Sequence, residues 1–507
     1  MTGTLGLTMD PDSKVPLYQQ LVRQVAARIG DGTLPAGFRL PPTRVLAQQL
    51  GTHRNTIVAA FEHLTQRGLL RSKVGRGTFV AESPGAGPPT TPDDDRQLPW
   101  ATLVSRATQG GALRDVGRLR RLSAQASRAD LVNLQRMQPA EELLPVDAFR
   151  RCVQHALRSV GAGALGYAPR EGLPRLREAI STDLARRDVP VHADEMLVTT
   201  GSQQALDLVA RVLLDPGETF LVQNETYTGA IFVLSAAGAR VVGVPDDDEG
   251  PDMAALERLS TAPARPKGFY VMPNGQNPTG RTISGDRRRQ LVQWSHRVGV
   301  PLVEDDYCAD LDLDGIATPP ALRALDSQVL HIGTFSKRLI PALRIGYVAF
   351  PPAVREHLTA LKHAMDLGSS LVMQHALAEF LERGYLRAHL RRVLPEYRKR
   401  RTALETGLQR HMPEGVQWTR AHRGVATWLT LPDPIDTENV FAAGLDEGVV
   451  VSPDVLFTVR GQAHGIRLTF CAETPRRIAL GAERLGRAVA VAAARADSSG
   501  GTALTVV

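Results

Sequence analysis

The apolar positions along the chain predict its elements one after another. Leu17, Leu21, Val25 and Ile29 recur every four residues, which marks one face of a helix. Pro35, Gly37, Pro41 and Pro42 break that period. Pro42 then suits the first turn of a second helix carrying Val45, Leu46 and Leu50, which Gly51 ends. A third helix starts near His53 and runs through Ile57, Ala60, Phe61 and Leu64 to Gly68. Leu69 to Ser72 and Thr78 to Ala81 read as two strands joined across Val74-Gly-Arg-Gly77. This order predicts a winged helix-turn-helix over residues 1–82.

Residues 83–130 read as a linker. Six prolines and glycines precede the acidic run Asp93-Asp94-Asp95, and the Arg- and Ala-rich stretch from Ala101 to Arg128 is only weakly helical. From Leu131, short apolar runs alternate with helical patterns: Met196 to Thr199, Thr219 to Val222, Gly268 to Met272, Val300 to Val303, and Val329 to Ile332. That alternation predicts an α/β domain with a largely parallel sheet over residues 131–490, followed by a tail at 491–507.

Composition adds exclusions. With 507 residues, 43% hydrophobic and 22% charged, the chain is ordinary for a folded protein, not a disordered or fibrous one. No run approaches the roughly 20 apolar residues of a membrane helix, so no membrane role is expected. Met1 to Asp12 lacks a basic stretch followed by an apolar core, which argues against a secretory signal and for the cytoplasm. Cys152, Cys308 and Cys471 form no CxxC pair and no disulfide framework, and no metal is expected. Charge is uneven. Residues 1–80 hold ten Lys and Arg against four acids, so +6 of the total +7 sits in the head. A solvated basic face explains charge alone equally well; the helices favour a polyanion partner.

Arg54, Asn55 and Thr56 open the third helix, where a recognition helix meets base edges, and Arg and Asn can make bidentate contacts to guanine and adenine. Arg44 opens the second helix within reach of phosphate, and Arg76 sits at the hairpin tip. The words Pro16-Leu-Tyr, Leu34-Pro-Ala-Gly, Leu40-Pro-Pro-Thr-Arg44, Arg54-Asn-Thr-Ile57 and Gly75-Arg-Gly-Thr-Phe-Val80 resemble the GntR-type winged helix domain. The resemblance implies that Arg44, Arg54, Asn55, Thr56 and the wing residues Gly75, Arg76 and Gly77 contact double-stranded operator DNA. His53 departs from the Ser or Thr usual there, and Thr52 is the alternative helix cap.

Four words carry chemistry in the second part. Thr199-Thr-Gly-Ser-Gln-Gln-Ala205 follows a strand and opens a helix, so N–H groups at Gly201, Ser202 and Gln203 can hold a phosphate. Pro273-Asn-Gly-Gln-Asn277-Pro-Thr-Gly280 is the second word. Val303-Glu-Asp305-Asp-Tyr307 puts an acid and a phenol at a strand end. Gly333-Thr-Phe-Ser-Lys337, followed by Arg344, hems a lysine among small hydroxyls, the setting of a Schiff-base amine.

In order and separation these words resemble the fold-type I, pyridoxal 5′-phosphate (PLP)-dependent aminotransferases, with a large, mostly parallel α/β domain and a smaller α+β domain at about 395–490. The resemblance implies that Lys337 forms the internal aldimine with PLP and Asp305 keeps the pyridine nitrogen protonated. It implies that Asn277 and Tyr307 bind the ring oxygen, and that Gly201, Ser202, Gln203, Thr334, Ser336 and Arg344 cup the phosphate. Tyr227 falls where an aromatic ring stacks on the cofactor, and Tyr167 where a tyrosine reaches the neighbouring subunit's phosphate. Arg467, in Gly465-Ile-Arg-Leu-Thr-Phe470, falls where a substrate carboxylate is anchored. The segment after Asn133 departs from the pattern: Leu-Gln-Arg-Met-Gln-Pro stands where a glycine is usual, so Arg136 or Met137 alters the pocket.

Together the two parts resemble the MocR group of bacterial transcription regulators. That resemblance implies a head-to-tail homodimer that senses PLP or a small amino compound. An aminotransferase with a vestigial head is the second reading, and a protein that keeps PLP as a structural staple the third. Which effector is read stays open among PLP itself, an ω-amino acid, taurine, an ordinary amino acid or a dipeptide.

Overall fold

The computed structural model describes residues 7, 9, 16–30, 33–35, 37–66, 69–73, 77–81, 98, 100–105, 130–261, 265–308 and 310–500. The chain forms two compact units, residues 1–103 and 104–507. At the end of the first unit, Trp100–Leu103 makes one helical turn, and most of the linker expected at 83–130 lies outside the described residues.

In the first unit, α1 (Leu17–Gly30), α2 (Thr43–Gln49) and α3 (Arg54–Gln66) precede an antiparallel hairpin of β1 (Leu70–Lys73) and β2 (Gly77–Val80). Leu21, Val25, Leu46, Ile57, Phe61 and Leu64 bury a small core with Leu70 and Val80 of the hairpin. Gly51, between α2 and α3, has φ +60°, a left-handed turn that a residue without Cβ adopts freely. Val45, on the same helix as Leu46, is 44% exposed. The residues that α2 buries are Leu46 and Ala47.

The second unit opens with β3 (Val132–Asn133). Its main sheet holds β4 (Met196–Thr199), β5 (Thr219–Gln223), β6 (Arg240–Val244), β7 (Phe269–Val271), β8 (Leu302–Asp305), β9 (Leu330–Thr334) and β10 (Gly346–Ala349). The spatial order is β4-β10-β9-β8-β7-β5-β6. Neighbours run parallel except β10, which is antiparallel to both β4 and β9. The five strands expected from apolar runs all form, and the sheet is mostly parallel as anticipated. β6 and β10 were not anticipated: β6 is a half-exposed edge strand, and β10 is four residues long with a glycine at its start. The parallel strands β4, β8 and β9 all end at one rim of the sheet, the usual place for a ligand in an open α/β fold.

A smaller antiparallel sheet joins β11 (Gln417–Trp418), β12 (Ala426–Thr430), β14 (Ser452–Pro453) and β15 (Gly465–Thr469). Beside it, β13 (Val449–Val450) pairs in parallel with β3, so residues 132–133 are built onto the smaller domain. The helix Pro475–Gly500 runs through residue 490, because Val489 and Ala492 continue its buried face. The helix Tyr385–His411 likewise runs through residue 395. Cys152, Cys308 and Cys471 are buried and free. Among the described residues no helix is long and apolar enough to cross a membrane, and no group of His, Cys, Asp and Glu could hold a metal.

Candidate cofactor pocket and DNA-reading surface

The rim where β4, β8 and β9 end encloses a cavity of about 220 Å³. Ser202, Gln203, Tyr227, Asn277, Asp305, Tyr307, Thr334, Ser336, Lys337, Arg344 and Arg467 all line it, each from a segment that sequence had singled out. Met137, Met272 and Pro341 complete the wall. Of the two residues expected to alter the pocket, Met137 faces it, whereas the Arg136 guanidinium turns to Gln138 at 3.3 Å.

One end of the cavity is built for an anion. Ser202 begins a 12-residue helix, whose first N–H groups have no partner within the helix. Gly201 precedes it at φ +117°, a backbone that favours glycine, and a Cβ there would lie 2.9 Å from an Arg344 nitrogen and displace that guanidinium. Arg344 is exposed to the cavity. Thr334 and Ser336 share a hydroxyl bond at 3.1 Å at the end of β9. The Tyr227 hydroxyl donates to Gln203 Oε1 at 3.2 Å, which fixes its ring over the same region.

The other end holds the groups that would face a ring and an amine. Asp305 is buried; its Oδ2 accepts from the Tyr270 hydroxyl at 2.6 Å, while its Oδ1 is buried without a partner. Burial pushes the Asp305 carboxyl up to about 6, against the pull of the Tyr270 bond. An unpartnered buried carboxylate oxygen in a cavity wall fits a protonated ring nitrogen. Tyr307 donates to the Gly275 carbonyl at 2.6 Å. Lys337 Nζ donates to the Met137 carbonyl at 2.6 Å, and burial, with Arg467 and Arg344 nearby, lowers its pKa. The residues present therefore fit PLP.

Arg467, on β15, is 9% exposed and has no acidic partner among the described residues. It donates to Asn277 Oδ1 at 3.0 Å, to the Gln135 carbonyl at 2.9 Å and to Ser452 Oγ at 3.2 Å, all neutral acceptors. The guanidinium carbon lies 4.7 Å from the centre of the Phe457 ring. Burial pushes its pKa down to about 10. A buried cation satisfied only by neutral groups retains a demand for an anion.

Tyr167 is not brought into this cavity. It is 86% exposed, close in sequence to the exposed Leu157, Val160 and Leu165. Sequence reasoning missed Tyr270. It is the one hydroxyl in the fully buried run Phe269–Met272, and such a group must find a partner.

On the first unit, Arg44, Arg54 and Asn55 are exposed and Thr56 is half-buried. The Thr56 N–H donates to the His53 carbonyl at 3.0 Å, which places His53 at the N-cap of α3. Arg54 Nε reaches Thr43 Oγ1 at 3.5 Å, tying the starts of α2 and α3 together. Gly77 at φ +110° lies against the Arg39 side chain. Gly75 and Arg76 lie outside the described residues.

Residues 131–485 match the family Aminotransferase class I and II, and residues 17–80 match Bacterial regulatory proteins, gntR family. The chain is 31% identical over 453 residues to the probable rhizopine catabolism regulatory protein MocR of Rhizobium meliloti, covering 88% of each. It is 30% identical to the HTH-type transcriptional regulator TauR of Rhodobacter capsulatus, over 94% of this chain and 98% of that one. Among solved structures, the multiple substrate aminotransferase of Thermococcus profundus superposes with TM-score 0.74 at 30% identity. That match covers 78% of this chain and 100% of the aminotransferase.

Proposed function

Because the chain belongs to the aminotransferase class I and II family and carries a gntR-family regulatory domain ahead of it, we propose that it is a PLP-dependent, DNA-binding transcription regulator. The observation that supports this reading is that one chain holds both a cavity lined by Lys337, Asp305, Arg344 and Arg467 and an exposed Arg54-Asn55 at the start of α3. Bound PLP supplies an aldehyde that condenses with amines and a ring that withdraws electrons.

The protein's side chains do the rest. Lys337, its basicity lowered by burial, presents a free amine at a lower pH than an exposed lysine does. Asp305 would hold the ring proton, and the Ser202 helix start with Arg344 would hold the phosphate. Asn277 and Tyr307, both on the cavity wall, would hold the ring oxygen. Arg467 takes the carboxylate of a small amino compound, the effector class its unpaired charge favours. Arg54, Asn55 and Thr56 read bases, with Arg44 and the wing on phosphates.

We assign the active form as a head-to-tail homodimer in the cytoplasm. The exposed Leu157, Val160, Leu165 and Tyr167, close together in sequence, support self-association. Tyr167 would then complete the partner's phosphate site.

The test is a gel shift of PLP-loaded protein on DNA upstream of its own gene, at two salt concentrations, while absorbance follows added amines. Specific, steeply salt-dependent retardation that changes as the cofactor band shifts is the expected result. No specific retardation, with the band cycling in the presence of a keto acid, would make the protein an aminotransferase.

A further inference from the structure

We propose that Tyr270 is a positioning residue for the cofactor: its phenol holds one oxygen of Asp305 and thereby presents the other, as a carboxylate, to the ring nitrogen. This rests on the assignment of Asp305 to that nitrogen.

The geometry is specific. Tyr270 lies on β7 in register with Val303 of β8, so Asp305 is two residues further along the same face of the sheet. Both side chains are buried, and the hydroxyl donates to Asp305 Oδ2 at 2.6 Å. Oδ1, left without a partner, belongs to the residue that lines the cavity. A single bond on one oxygen thus decides which oxygen is free and fixes the carboxyl plane.

The other groups around Asp305 do not compete for that role. Glu304 and Asp306, its neighbours on the strand, turn elsewhere: Glu304 to His331 Nδ1 at 2.8 Å, Asp306 to Arg187 at 2.9 Å and Asn274 at 3.1 Å. His331 on β9 is engaged by Glu304. Tyr227, Tyr307 and Cys308 are all pushed above their ordinary pKa by burial and stay neutral. Tyr270 is likewise pushed well above its ordinary value by burial and by Asp305, so it remains the donor. Among the described residues it is the one side chain with a hydrogen bond to Asp305.

A tyrosine that merely fills the core would also find some partner for its hydroxyl. The two roles separate in their pH dependence. A hydrogen bond to a carboxylate stabilises the ionised form, so removing it raises the Asp305 pKa by about one unit or more. PLP needs the ionised form, and the loss of affinity must therefore be largest on the acid side. PLP's own groups titrate alike in both proteins, so the ratio of their dissociation constants isolates Asp305.

Full-length apoprotein of the wild type and Tyr270→Phe is titrated with PLP from pH 6.5 to 8.5. The expected result is a Kd roughly threefold weaker near pH 6.5 for a one-unit shift from about 6, with the ratio falling toward one at pH 8.5. Asp305→Asn is expected to weaken binding by itself and to erase any further effect of Tyr270→Phe in the double variant. A ratio independent of pH, or an equal loss in the Asp305→Asn background, would overturn the proposal and leave Tyr270 as packing. If Asp305→Asn leaves PLP affinity unchanged, the assignment of Asp305 itself fails. Should Tyr270→Phe alone not fold, the double variant, which carries no uncompensated charge, is compared with Asp305→Asn. No further loss supports the coupling, and a further loss overturns it.

Discussion

Arg54 and Arg467 are the same residue in opposite surroundings, one on each compact unit. Arg54 stands in solvent at the start of α3, with one long contact to Thr43. Arg467 is buried among three neutral acceptors and an aromatic ring, with its pKa pushed down to about 10. Water screens the first, so its charge counts mainly once a partner such as a base edge meets it at close range. Desolvation burdens the second, so one small anion there is worth far more. On the proposed reading, the head would meet the phosphates and base edges of DNA, and the body a single carboxylate. A regulator needs both, and the comparison predicts that each can be broken without the other.

The largest separation is expected from Lys337→Ala. The visible band of lysine-bound PLP should vanish, while the head's non-specific DNA affinity is retained. An unchanged spectrum would remove Lys337 from the chemistry. In the wild type, the rate of PLP uptake should rise with pH and level off below the ordinary lysine value of about 10.4, because burial lowers this amine. A midpoint at or above that value would contradict the buried environment.

Arg467→Ala comes next. It should leave PLP uptake in place and weaken any carboxylate-bearing effector by about 1.5–3 kcal/mol, roughly 10- to 150-fold. Calorimetric titration of PLP-loaded protein with candidate amino acids measures this directly. Equal loss for an amine lacking the carboxylate would mean that the substitution had collapsed the wall around Asn277 and Gln135 instead.

The head was almost wholly legible in the sequence, because its determinants are local: a Gly turn, helix starts and a short hairpin within 80 residues. Among its described residues, Val45, read on the same helix as Leu46, proves exposed. The pocket was legible as words, and eleven of its lining residues were named from them. Their partners were not. Tyr270 lies 35 residues from Asp305, and nothing in an apolar strand word says which buried acid its hydroxyl meets. The pairing of β3 with β13 spans over 300 residues and left no local trace. Met137 was visible only as a departure from a pattern, and its carbonyl bond to Lys337 requires the fold.

The smallest effects divide the head's own arginines. Arg54→Ala should weaken specific operator binding by about 1–3 kcal/mol and relax the preference at one base position. Arg44→Ala should instead weaken all duplexes alike and reduce the slope of log affinity against log salt by about 1. Both side chains are exposed, so neither substitution disturbs the core around Leu46 and Ile57. The bond from Arg54 to Thr43 adds one complication: a free Arg54 could shift toward phosphate once Thr43 is removed. Thr43→Ala therefore controls for it, and should leave base preference unchanged if Arg54 reads a base. Binding to matched and mismatched duplexes at two salt concentrations distinguishes the three variants. If Arg54→Ala changed the salt slope and left base preference alone, the start of α3 would be a phosphate clamp, and the reading of bases would have to lie elsewhere on the helix.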